Sequence, residues 1–163
     1  MIIKDYQLDK IFSLKEHFQA ILIYGPNEGL VREKIKIIIS KFENKEIISI
    51  NGRDMDSDPF LLDQSLNTYS MFESNKVVLV ENIKDKHLKD LDNIDYEKIT
   101  NTILIVKESN LLKSSKLRKF FDSHKYFFSL ACYEDDLKLM IKIIDSFARQ
   151  NSIIFKRDVK EYL

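Results

Sequence analysis

Apolar runs alternate along this chain with amphipathic stretches, and the alternation repeats five times. The first run, Ala20-Ile21-Leu22-Ile23-Tyr24, is continuous, as in a strand covered on both faces of a sheet. Further strands are predicted at Glu46–Ile50, Lys76–Val80, Thr102–Val106 and Tyr126–Leu130. A helix over Glu28–Phe42 places Leu30, Val31, Ile35, Ile38, Ile39 and Phe42 on one stripe. Asn51-Gly52 is turn chemistry that closes the second strand. Asp58-Pro59 then reads as an acidic N-cap with proline at the first helical position, leading into Phe60, Leu61, Leu62 and Leu66. The connection 67–75 joins that helix to the third strand. A weak helix is expected within the polar stretch 85–95, and another over 114–121.

Outside this core, residues 7–18 read as a short helix with Leu8, Ile11, Phe12 and Leu14 available for packing. A longer helix over 135–150 lines up Leu137, Met140, Ile141, Ile144 and Phe147, and 155–163 begins one more. Strands alternating with helices imply a parallel sheet with right-handed crossovers and helices on both faces, a three-layer α/β domain. The final helix carries an apolar stripe with nothing after it to cover it, so the chain is expected to be the N-terminal part of something longer.

Composition narrows the class. At 163 residues the chain suits one domain with a real core, and 44% hydrophobic with 32% charged residues is a globular balance. Lys+Arg and Asp+Glu stand at 26 each, which excludes a whole-chain electrostatic nucleic-acid binder. The one cysteine, Cys132, excludes an internal disulfide and suits a reducing cytoplasm. Met1-Ile2-Ile3-Lys4-Asp5-Tyr6 lacks the pattern of a signal peptide. No apolar run approaches the roughly 18 residues of a membrane span.

The candidate chemistry lies after the first strand. A phosphate-binding P-loop needs G-x-x-x-x-G-K-S/T, so that loop amides and a lysine cradle phosphates while a hydroxyl holds magnesium. Here Gly25 and Gly29 are one residue too close, and Leu30, Val31 and Arg32 stand where lysine and hydroxyl are wanted. The layout of a nucleotide loop is present without the groups that hold nucleotide, so no cofactor is expected. Glu81-Asn82 after the third strand is a poor substitute for metal-binding and water-polarising acids. His17, His87 and His124 are dispersed without ligand spacing, so no metal site is expected, and His124 reads as a surface residue near a turn. Cys132 has no motif of a nucleophile around it. An active ATPase of the same fold would need the missing lysine and hydroxyl. A phosphoacceptor receiver would need acids where Gly25-Pro26 and Glu81-Asn82 stand, and a dinucleotide-binding domain would need G-x-G-x-x-G after the first strand.

Several segments together resemble the delta subunit of bacterial DNA polymerase III. They are Tyr24-Gly25-Pro26-Asn27-Glu28-Gly29-Leu30-Val31-Arg32-Glu33, then Asp58-Pro59-Phe60, then Ser70-Met71-Phe72 before the third strand. Leu112-Lys113-Ser114-Ser115-Lys116-Leu117-Arg118-Lys119 and Cys132-Tyr133-Glu134-Asp135-Asp136 continue the likeness, which runs over nearly the whole chain. The resemblance implies an AAA+ or P-loop NTPase-like fold with sheet order 5-1-4-3-2. It implies a role in the clamp loader, which places the beta sliding clamp on primed DNA, for a subunit that does not itself hydrolyse ATP. Expected partners are the clamp, the other clamp-loader subunits through a C-terminal collar, and primed DNA within the complete loader of the polymerase holoenzyme, in the cytoplasm. On the same resemblance, residues 1–148 form the AAA+-like domain and 149–163 start a lid, with the collar absent.

The resemblance also places a clamp contact at Tyr69-Ser70-Met71-Phe72, where the family carries a hydrophobic pair that inserts into a pocket on the clamp. Two adjacent apolar side chains at a helix-to-strand connection can both face outward only where a partner buries them. The competing reading is that Met71 and Phe72 seal the end of the core. With the resemblance, Phe72 is expected as the main anchor and Met71, a flexible thioether in place of the more usual leucine, as the second. Lys113, Lys116, Arg118 and Lys119 form a basic cluster that could meet DNA phosphates or an acidic neighbour, against the plainer reading of a solvated helix face.

Overall fold

Six strands, β1 (Ile2–Ile3), β2 (Ala20–Tyr24), β3 (Lys45–Asn51), β4 (Asn75–Glu81), β5 (Thr102–Glu108) and β6 (Phe127–Ala131), form one sheet. All its pairings are parallel, and the order is β1-β6-β2-β5-β4-β3. Among the described residues, the helices with both ends given are α1 (Glu28–Ser40), α2 (Gly52–Ser57), α3 (Leu61–Asn67), α4 (Leu88–Asp92) and α5 (Lys116–Ser123). The computed structural model describes residues 2–3, 8, 19–68, 75–133, 144–145, 148–149 and 153. The chain divides into two compact units, Met1–Cys132 and Tyr133–Leu163, and all six strands lie in the first.

The five predicted strands take the order 5-1-4-3-2, with ends within two residues of those expected. The sheet has a sixth strand because Ile2–Ile3 pairs with Ser129 and Leu130 at the β6 edge. A two-residue strand has no periodicity to announce it.

β2 occupies the centre, and every one of its residues is buried. Its alternate side chains divide between two cores, as strand geometry requires. Ala20, Leu22 and Tyr24 join Val78, Val80, Leu104, Val106 and Phe127 on one face. That face is covered by Met55 of α2, Leu62 and Leu66 of α3, Leu91 of α4 and Leu117 and Phe121 of α5. Ile21 and Ile23 join Val77, Ile103, Ile105, Phe128 and Leu130 on the other face, beneath Val31, Ile35 and Ile38 of α1. Continuous apolar strands therefore follow from helices on both sides.

Two local expectations are corrected. Asn51-Gly52 does not turn the chain away but starts α2: Asn51 Oδ1 accepts from Arg53 N at 3.1 Å, and Asp54 Oδ2 accepts from Asn51 N at 3.0 Å. This reciprocal cap satisfies donors that the first helical turn leaves open. Asp58-Pro59 then falls at the end of α2 rather than at the start of α3. Asp58 Oδ1 accepts from Phe60 N at 2.9 Å, and α3 begins at Leu61. In the polar stretch 85–95, a 3₁₀ turn at Asp85–His87 precedes the short α4. The helix expected at 114–121 runs from Lys116 to Ser123 behind an N-cap at Ser115. The helices expected over 7–18, 135–150 and 155–163 lie largely outside the described residues.

Candidate functional site

The loop after β2 sits at the C-terminal end of the sheet, the edge where parallel α/β folds place their ligands. Gly25 has φ +151°, and a Cβ there would stand 1.9 Å from the Cys132 carbonyl oxygen. Only glycine fits so close to another backbone. The approach arises because the chain beyond β6 continues its pairing past the strand end: Cys132 N donates to Tyr24 O at 2.7 Å, and Asn27 N donates to Cys132 O at 3.3 Å. On the other flank, Gly25 N donates to Ser109 O at 3.1 Å.

The amides of Gly25, Asn27, Glu28 and Leu30 are thus committed inside the chain. Pro26 has no N–H, Glu28 N donates to Pro26 O at 3.1 Å, and Leu30 N donates to Asn27 Oδ1 at 3.0 Å as the N-cap bond of α1. Glu28 adds a carboxylate to the first turn, where the helix dipole favours negative charge. Arg32 pairs with Glu28 at 3.1 Å with both side chains mostly exposed, a contact of little energetic weight. Gly29 has only Asn27 Oδ1 at ordinary contact distance from its would-be Cβ, so close packing does not demand glycine there.

The acidic positions at the same edge are also occupied. Register places Glu81 beside Lys107, and their side chains meet at 3.0 Å. Glu108, half-buried, accepts a hydrogen bond from Ile83 N. Burial pushes its carboxyl above the ordinary 4.5, and the negative charge of Glu81 adds to the rise. The Ile83 amide and Lys107 pull the other way.

The basic cluster does not act as one group. Lys113, Lys116 and Lys119 are exposed, with Lys116 Nζ 3.4 Å from Asp85. Arg118 turns inward, lies over the Tyr24 ring at 5.3 Å and meets Asp122 at 3.7 Å. It belongs to the packing of α5 on β2.

Tyr69, Ser70, Met71 and Phe72 lie outside the described residues. The chain on either side of them is held firmly. Thr68 N donates to Gln64 O at 2.9 Å, closing α3, and Asn75 bonds to Asn44 O and Glu43 O at 3.2 and 2.6 Å. Lys76, buried at the start of β4, donates from Nζ to Ser65 O at 3.0 Å and to Thr68 O.

One cluster escaped sequence reasoning. His87 is buried, its Nδ1 accepts from Lys84 N at 3.2 Å, and its Nε2 lies 2.7 Å from Asp56 Oδ1. Lys86 also pairs with Asp56, and these two contacts, the lysine first, hold the carboxyl well down, at about 2. The cluster ties α2 to the chain after β4. The same junction explains Gly52, whose Cβ would stand 2.1 Å from Asn82 O. His124 stacks on Phe127 with ring centroids 3.7 Å apart, and its burial lowers its pKa. Among the described residues, no three His, Cys, Asp or Glu side chains could together hold a metal, and no helix is long and apolar enough to cross a membrane.

A parallel sheet in this order, flanked by helices and carrying a glycine loop after its central strand, defines an AAA+-like α/β protein. Solved structures agree on the fold. The chain matches the Bacillus subtilis DNA clamp loader delta protein with TM-score 0.63 at 17% identity, covering 96% of this chain and 50% of that one. It matches a RuvB mutant from Thermotoga maritima with TM-score 0.55 at 18% identity, covering 96% and 55%. A family model described as "DNA polymerase III, delta subunit" matches residues 21–133, and the chain belongs to that family. A Rickettsia prowazekii (strain Madrid E) protein named "Probable DNA polymerase III subunit delta" is 31% identical over 159 residues, 94% of this chain and 47% of the relative. The chain therefore spans about half the length of the curated relative it matches.

Proposed function

We propose that this chain acts as the clamp-binding part of a clamp-loader subunit, helping to open the beta sliding clamp for loading on primed DNA without hydrolysing ATP. The observation that carries the non-hydrolytic part is the loop itself, with Asn27 Oδ1 on Leu30 N and the other bonded amides directed into the chain. A nucleotide phosphate would have to displace these bonds without help from a lysine. Pairing of Glu81 with Lys107 supports the same reading.

Clamp binding rests on family membership together with Tyr69-Ser70-Met71-Phe72, in which Phe72 is the main anchor and Met71 the second. Opening needs no covalent chemistry. A subunit that fits an open clamp interface better than the closed one shifts the population toward opening. The other clamp-loader subunits join through parts of the protein beyond this chain, and the assembly works in the cytoplasm. Lys113, Lys116 and Lys119 are the exposed cations that primed DNA could meet, while Arg118 is engaged in packing.

The test is a calorimetric titration against the sliding clamp of the same organism. Phe72→Ala, confirmed folded by circular dichroism, should lose about 2 kcal/mol of binding, roughly thirtyfold in Kd. Met71→Ala should lose less. Wild-type affinity in folded Phe72→Ala would remove the proposed anchor.

A further inference from the structure

We propose that two copies of this chain pair through patches of opposite charge, Phe60 and its acidic surroundings on one copy meeting Leu112 and its basic surroundings on the other. The inference goes beyond the clamp-binding reading and does not depend on it. Phe60 and Leu112 are the most exposed large apolar side chains among the described residues, at 69% and 73%. Covering such side chains is favourable, and aromatic residues are enriched where interfaces are most buried. Both are presented on fixed backbone. Beyond Pro59, Asp58 Oδ1 accepts from Phe60 N at 2.9 Å, and Gln64 N donates to Phe60 O at 2.9 Å. Ser115 N donates to Leu112 O at 3.0 Å. Anchors held in this way lose little freedom on docking.

Charge says what covers them. Residues 54–63 hold Asp54, Asp56, Asp58 and Asp63 with no lysine or arginine, whereas 112–119 hold Lys113, Lys116, Arg118 and Lys119 with no acid. Asp56 is engaged by Lys86 and His87, and Arg118 by Tyr24 and Asp122, which leaves the other three of each set. Lys116 also meets Asp85, but in an exposed pair of little weight. Each segment is complementary in sign to the other and repels its own like, so Phe60 meets Leu112 rather than a second Phe60. The two segments lie on one side of the sheet, since α2, α3 and α5 cover the same core. The pairs Lys86–Asp56 and Lys116–Asp85 place both beside residues 85–86. Two copies facing each other about a two-fold axis then make the contact twice and close as a dimer.

Sedimentation velocity of the chain over about 1–200 μM should show monomers giving way to dimers and to nothing larger. Added salt should move the midpoint to higher concentration, because the charges around both anchors are exposed. Phe60→Ala and Leu112→Ala, both at exposed positions, should fold as wild type by circular dichroism and each weaken dimerisation about thirtyfold. Charge reversal separates this contact from general stickiness. Asp58→Lys with Asp63→Lys, and in a second chain Lys113→Glu with Lys119→Glu, should each be monomeric alone and should form dimers when mixed. A wild type that stays monomeric over that range overturns the proposal, whether or not the two patches then prove to meet the clamp or primed DNA. Growth past the dimer, reversed chains that dimerise alone, or reversed chains that stay apart on mixing overturn it as well. If either reversed chain fails to fold, wild-type dimerisation in folded Phe60→Ala does the same.

Discussion

Asp56 and Glu108 are perturbed in opposite directions, and each dictates its own acid response. The ordinary carboxyl value for Asp56 is 3.8, lowered in the fold to about 2 by Lys86 and then His87. The ionised form is therefore favoured in the native state, and the stability it contributes is present above 3.8 and lost as pH falls toward 2. Glu108 is raised above 4.5, chiefly by burial, so its native form holds a proton more tightly than the unfolded chain does. Stability must then fall as pH rises through the window above 4.5. Urea unfolding of Asp56→Asn should lose much of the acid sensitivity between about pH 4 and 2. Glu108→Gln, whose amide oxygen can still accept from Ile83 N, should be more stable than wild type at pH 7. That advantage should disappear below pH 4.

At the scale of elements, the junction of β2 and α1 makes a contrast between its two glycines, Gly25 in the loop and Gly29 in the first turn of α1. Gly25→Ala drives a Cβ into the Cys132 carbonyl from a backbone conformation that L residues avoid, and should cost about 2 kcal/mol or more. Gly29→Ala meets only a side-chain oxygen at 3.4 Å and removes a flexible residue from the first turn of α1. It should be neutral or stabilising by up to about 1 kcal/mol. Denaturant midpoints of the two variants should move in different directions or by very different amounts. The sequence could tell that both glycines stood at the passage from strand to helix, since the apolar run of β2 ended there. It could not tell which one faced another backbone, because Cys132 is distant in the chain and arrives only through the pairing of β6. The same limit applies to α2. Asn51 and Asp54 have the spacing of a reciprocal cap, but Gly52 beside Asn51 is equally good turn chemistry. What decides is the Asn82 carbonyl 2.1 Å from the Gly52 Cβ position, a tertiary neighbour.

For the whole molecule, the strand runs made the sheet legible because burial on both faces leaves no polar alternation to confuse with a helix. The resemblance supplied their spatial order. The edge strand Ile2–Ile3 was too short to read, and the bonds from buried Lys76 to the Ser65 and Thr68 carbonyls were hidden because a lysine opening a strand looks like an ordinary solvent-facing charge. Fold and loop lead to one further expectation. A chain whose loop lacks the lysine and hydroxyl, and whose Gly25, Asn27, Glu28 and Leu30 amides are bonded within the fold, should gain no thermal stability from millimolar MgATP, since only a ligand that binds the native state raises its melting temperature. A melting scan with and without nucleotide checks this, and a clear upward shift would restore the ATP-binding reading.

Cys132 gives the loop a built-in reporter. It is the only thiol in the chain and is 1% exposed, and its backbone carbonyl is the group that crowds Gly25 and accepts from Asn27. Its side chain lies in the core with Ile23, Val31 and Ile35, so a sulfhydryl reagent reaches it only when that packing opens, and the labelling rate measures how often it does. Opening around the end of β6 can therefore be followed in the unmodified chain, by chemistry that its own sequence supplies.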